Sequence, residues 1–135
     1  MNPVVHFEMP YEDKNRMASF YQNAFGWKTN MLGPEMGNYV VAMTCEMDEA
    51  DKFPKKPGMI NGGFYARTES DQCPSFVIAV DDIKEAMKKV TDAGGTLFGG
   101  ANNTGEPDEI PGVGLYVSFK DTEGNRASLL QPKGM

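Results

Sequence analysis

Histidine is almost absent from this chain. There is one, His6, among 135 residues, and there are only two cysteines, Cys45 and Cys73. One histidine cannot make the His-His metal site of many hydrolases. Two cysteines without a CxxC spacing make neither a disulfide scaffold nor a zinc ribbon. A reducing cytoplasmic compartment is the expectation that follows. No apolar run approaches the length of about 20 residues that spans a bilayer, and the first residues lack the basic and apolar regions of a secretory signal. No membrane role is expected. Basic clusters are equally scarce. The formal net charge is -6, and the basic pairs Lys55-Lys56 and Lys88-Lys89 both have acidic residues close by. Nucleic-acid binding needs a concentrated basic face, so it is not expected either.

What is present is an ordinary globular composition, 40% apolar and 24% charged, in a length that suits one domain with a real core. Two helices are legible. Met17, Phe20, Tyr21, Ala24 and Phe25 follow the i, i+3, i+4, i+7, i+8 series of one buried stripe, with Pro10, Glu12 and Asp13 ahead and Gly26 behind. Ile83, Ala86, Met87, Val90 and Ala93 form the second stripe, capped in front by Asp81 or Asp82 and ended by Gly94-Gly95. Strand-like runs precede the helices at 4–9 and 75–80. Further strands are expected at 27–31, 39–44 and 59–66 in the first half, and at 96–98, 115–119 and 127–130 in the second. The stretches 45–58 and 99–112 read as long loops, of the kind that often act as lids. Gly62-Gly63 and Gly99-Gly100 lack the strand–loop–helix setting of a phosphate loop and read as kinks or turns.

The halves share more than an order of elements. A shift of 69 positions carries Phe7 to Phe76, Asp13 to Asp82 and Gly26 to Gly95, and lays Met17, Tyr21 and Ala24 on Ala86, Val90 and Ala93. This is an internal repeat of pattern. The expectation is an α+β domain over 1–135, made of two β-α-β-β-β modules at 3–67 and 74–132. A module alone has one apolar sheet face and one helix, and pairing completes a core.

These residues also carry a family resemblance. His6-Phe7-Glu8-Met9-Pro10, Ala18-Ser19-Phe20-Tyr21 and Phe25-Gly26-Trp27 resemble the opening of the vicinal oxygen chelate superfamily, which holds glyoxalase I, bleomycin- and fosfomycin-resistance proteins and extradiol dioxygenases. Phe76 to Asp82, Ala93-Gly94-Gly95 and the close Asp121-Thr122-Glu123-Gly124-Asn125 with Leu129-Leu130-Gln131-Pro132 resemble the second module. The chain is most similar to the glyoxalase-related subgroup without an assigned role. The resemblance implies curled mixed sheets forming a shared cup, and commonly a homodimer. Active members hold a divalent metal in the cup on His, Glu or Gln side chains from up to four strands, where it acts as a Lewis acid. Bleomycin-binding members use the cup without metal.

Carried onto this sequence, the family's ligand positions fall on His6, on Gly63 or Phe64, on Ser75 and on Ser128. Only His6 is a strong donor, and such sites take about three or more imidazole or carboxylate groups. No metal site is therefore assigned. Side chains alternate along a strand, so His6 and Glu8 share a face with Val4. A weakly bound divalent metal stays open if Glu46, Asp108 or Glu109 joins them from a loop. Otherwise Glu8 is the charge partner of His6 or a ligand acceptor, and the pair is also the candidate for acid–base catalysis. Ligand-binding candidates are His6, Glu8, Ser75, Ser128, Tyr65, Tyr116 and Trp27, the aromatics being equally suited to core packing. Two functions follow. One is a metal-independent binder of a small organic molecule, of the resistance-protein type. The alternative is a metal-assisted lyase or isomerase of the glyoxalase I type.

Overall fold

A computed structural model describes residues 1–49, 58–98 and 105–133. Lys55-Lys56 and Gly99-Gly100 lie outside the described residues, as does part of each expected long loop. The chain forms two compact units. One is His6–Pro74, and the other joins Met1–Val5 to the chain from Ser75 onward. No helix among the described residues is long and apolar enough to cross a membrane.

In the first unit β1 (Val4–Tyr11) leads into α1 (Lys14–Phe25), followed by β2 (Lys28–Met31), a 3-10 turn at Pro34–Met36, β3 (Val40–Met43) and β4 (Asn61–Ala66). The sheet order is β2-β3-β4-β1. β4 runs parallel to β1 with His6 beside Asn61 and Glu8 beside Gly63, and the other pairs are antiparallel. Alternation sends Phe7, Met9 and Tyr11, with Val40, Ala42 and Phe64, toward Met17 and Tyr21 of α1, where they form the core. His6, Glu8, Val41, Gly63 and Tyr65 therefore stand on the opposite face.

The caps of α1 follow the sequence. Asp13 accepts from the Arg16 N–H, and Gly26 closes the helix at a φ of 74°. The expected stripe is narrower than its spacing suggests. The buried residue of α1 is Ala18, which lies outside that series, whereas Ala24 is exposed and Phe20 and Phe25 remain 58% and 63% exposed. Both rings pack against Tyr21 at the margin, at centroid distances of 5.0 and 6.0 Å. Contacts with rings along one side, Tyr21 and each other, with Trp27 beside Phe25, leave the outer phenyl surfaces in water.

The second unit contains β5 (Ser75–Ala79), α2 (Ile83–Asp92), β6 (Thr96–Phe98), β7 (Asp108–Ile110), β8 (Gly114–Lys120) and β9 (Arg126–Pro132). β9 lies between β5, to which it is parallel, and β8. β6 and β7 pair with successive parts of β8, Ser118–Lys120 and Gly114–Tyr116. The carbonyl of Pro3 accepts from the Ala79 N–H, which ties the N-terminal residues to this unit. Asp82, not Asp81, caps α2, exactly one 69-residue step from Asp13. Ile83 and Met87 pack on Val80, Val117 and Leu129, so Tyr116, Ser118 and Ser128 stand on the face away from α2.

Two expectations need correction. The stretch 99–112 is not one loop, because β7 lies within it. Three residues bracketed by Pro107 and Pro111 show no usable periodicity, and the strand owes its existence to the edge of β8. Gly62 and Gly63 are not a kink or turn either. They pair in regular register inside β4. Their lack of a side chain is needed for space, since a Cβ on Gly62 would overlap the Phe7 ring and one on Gly63 the Tyr39 ring.

Candidate functional site

The first unit brings two of the expected residues together with one that was not expected. His6 and Glu8 project from the same face of β1, two residues apart. Tyr39 enters from the start of β3 and lies over Gly63, whose missing side chain makes room for the ring. The Tyr39 hydroxyl is 2.9 Å from His6 Nε2 and donates to Glu8 Oε2 at 3.1 Å. The imidazole and phenol planes are inclined by 19°. Glu8 is thus linked to His6 through Tyr39.

Burial of the His6 ring holds its pKa below the ordinary 6.5 by disfavouring the charged form. A folded-state value below the unfolded one means the unfolded chain binds more protons as pH falls through that range. His6 should therefore contribute its full stability above 6.5 and lose it as pH drops toward the folded value. Urea unfolding at about pH 7.5 and pH 5.5 checks this, with a smaller decline expected in His6→Gln than in the native chain.

Other expected residues fall elsewhere. Tyr65, beside Pro10 in the register, shares the His6 face. Trp27 lies with the α1-side core, stacked on Tyr21 at 4.6 Å and tilted on Phe7 at 5.6 Å. In the second unit Ser75 opens β5, and Ser128 is 4% exposed. Ser128 Oγ lies 2.7 Å from the Tyr116 hydroxyl and 3.2 Å from Ser118 Oγ. Farther along that face Lys120 and Arg126 stand opposite one another across β8 and β9. Both sit over the Phe98 ring, at 5.6 and 4.5 Å from its centroid.

Sequence reasoning missed Tyr39, Ser118 and the Phe98 cluster. The register of the sheets unites them, and residue spacing does not encode register across loops. One signal was available for Tyr39: a glycine inside an apolar strand marks close approach by another group.

A divalent metal does not fit the donors present. Gly63 offers no side chain, and His6, its Nε2 engaged by Tyr39, is a lone imidazole with no second strong donor among the described residues grouped beside it and Glu8. Ser128 is a neutral hydroxyl already shared with two others. Asp108 and Glu109 belong to β7 and are not loop residues. No group of three His, Cys, Asp or Glu suited to a metal exists among the described residues.

Comparison with known proteins fixes the family. A model described as bleomycin resistance protein-like N-terminal matches residues 4–44. A glyoxylase-like domain-containing protein from Didymella fabae is 30% identical over 130 residues, which cover 94% of this chain and 91% of the relative. The chain belongs to the vicinal oxygen chelate superfamily. Solved structures agree at the level of fold. A hypothetical protein from Bacillus halodurans superimposes with a TM-score of 0.65 at 13% identity, covering 99% of this chain and 96% of that one. A variant of Streptomyces coelicolor methylmalonyl-CoA epimerase, solved with 2-nitronate-propionyl-CoA, gives 0.66 at 14% identity, with 100% and 97% covered. At such identities the likeness concerns the α+β glyoxalase/bleomycin-resistance fold alone. In this chain a tyrosine hydroxyl stands between His6 and Glu8.

Proposed function

We propose that this chain binds a small organic molecule on the face carrying His6, Tyr39 and Glu8, through hydrogen bonds rather than a metal. The Glu8–Tyr39–His6 chain carries the reading. It commits the imidazole nitrogen Nε2 to a protein partner and still supplies polar groups on a sheet face away from the core. The bleomycin-resistance likeness of residues 4–44 supports the same class of function. The metal-assisted lyase or isomerase reading gains no support from the donors present. A homodimer in the cytoplasm completes the proposal, supported by the exposed Phe20 and Phe25 and by the free thiols of Cys45 and Cys73.

A thermal-shift screen of organic small molecules tests the reading, because a ligand of the folded state raises the melting temperature. The expected outcome is a compound that stabilises the native chain and not His6→Ala. Stabilisation that survives unchanged in His6→Ala would remove this face as the site. Light scattering that returns a single-chain mass at micromolar protein would overturn the dimer.

A further inference from the structure

We infer that Tyr39 is a positioning residue that fixes neutral His6 as the Nε2–H tautomer and leaves Nδ1 as the acceptor for a donor on the ligand. The inference deepens the binding function proposed above, and the ligand class it names bears a hydroxyl, enol or amide N–H.

A phenol has one proton to give. Tyr39 gives it to Glu8 Oε2 at 3.1 Å, as an ionised carboxylate, which can only accept, requires. The phenol oxygen then faces His6 Nε2 at 2.9 Å with lone pairs only. That contact is a hydrogen bond when Nε2 carries the proton. A neutral imidazole has a single N–H, so Nδ1 is bare. Desolvation of the ring keeps the neutral form dominant near pH 7.

Nδ1 is also open. Among the described residues the His6 ring makes its hydrogen bond to Tyr39 and no other. No buried side-chain nitrogen or oxygen among the described residues lacks a partner. Nδ1 is therefore an accessible acceptor at the outer end of a chain anchored on Glu8. The polarity of that chain decides the inference. Were Glu8 protonated and donating, Tyr39 would donate to Nε2 and the imidazole proton would sit on Nδ1.

His6 is the sole histidine in the chain, so its ring nitrogens give unambiguous signals in long-range ¹H–¹⁵N correlation spectra of labelled protein near pH 7.5. The expected native spectrum shows one dominant tautomer, protonated at Nε2. Because Nε2–H is already the preferred form of a free neutral imidazole, Tyr39→Phe should lower its fraction and admit a minor Nδ1–H population. A native spectrum protonated at Nδ1, or an unchanged tautomer in Tyr39→Phe, overturns the role of Tyr39. Phenol and anisole, matched in shape but differing in the O–H, then probe Nδ1. Phenol should shift the Nδ1 resonance and anisole leave it in place. Equal effects from both, or none from either, overturn the acceptor role. The tautomer is read with no ligand present, so its failure is distinguishable from failure of the binding function, which the thermal-shift screen reports.

Discussion

Phe64→Ala is expected to lower the unfolding free energy by about 3–5 kcal/mol, the usual range for truncating a fully buried phenylalanine. Phe64 is 0% exposed and sits mid-strand in β4, where Val40 and Ala42 flank it and the Tyr21 ring of α1 lies 5.5 Å away. Truncation removes a central contact between α1 and the sheet and leaves a cavity that the paired strands cannot close. His6, Tyr39 and Glu8 lie on the other face of the same sheet. The Tyr39–His6 hydrogen bond should therefore persist in the variant while it stays folded. Urea unfolding gives the loss, and the His6 ring signals below the transition show whether the site is intact.

Gly63→Ala, one residue earlier, should cost about 2–3 kcal/mol, at the upper end of ordinary overpacking, and its effect on the site should be opposite. The added methyl points to the site face and overlaps the Tyr39 hydroxyl and ring. Gly63 has no left-handed backbone requirement, so the cost is steric and falls on Tyr39. The ring must swing away from β4, and its bonds to His6 and Glu8 go with it. Unfolding measures the cost, and loss of the single His6 tautomer measures the displacement. A neutral effect on both would contradict the close packing of Tyr39 on β4. The two neighbouring substitutions thus separate the stability of the unit from the integrity of its site.

The repeat was legible in the sequence for a physical reason. Asp13 and Asp82 cap helices that follow strands in both halves, and caps are local signals. Strands of clear composition were equally readable, and Thr96–Phe98 matches its expected bounds. What escaped depends on partners distant in sequence. β7 is three residues long and exists by pairing with β8. The exposure of Phe20 and Phe25 reflects how little surface stands beside α1, which the helical period does not report. His6 and Glu8 could be placed on one face by alternation alone. Tyr39, 31 residues beyond Glu8, reaches them only through the pairing of β3, β4 and β1. Gly63 in β4 was the trace it left in the sequence, and the space the Tyr39 ring needs above that strand now explains the residue.

The central claim is that the proposed binding face works through a hydrogen-bonded histidine and no metal. The most direct measurement is metal content of protein purified without chelator, followed by Ni²⁺ and Zn²⁺ titration read at the His6 ring nitrogens. The account predicts no stoichiometric metal and ring signals unmoved by either ion at equimolar addition. One equivalent of divalent metal coordinated by His6 would contradict it.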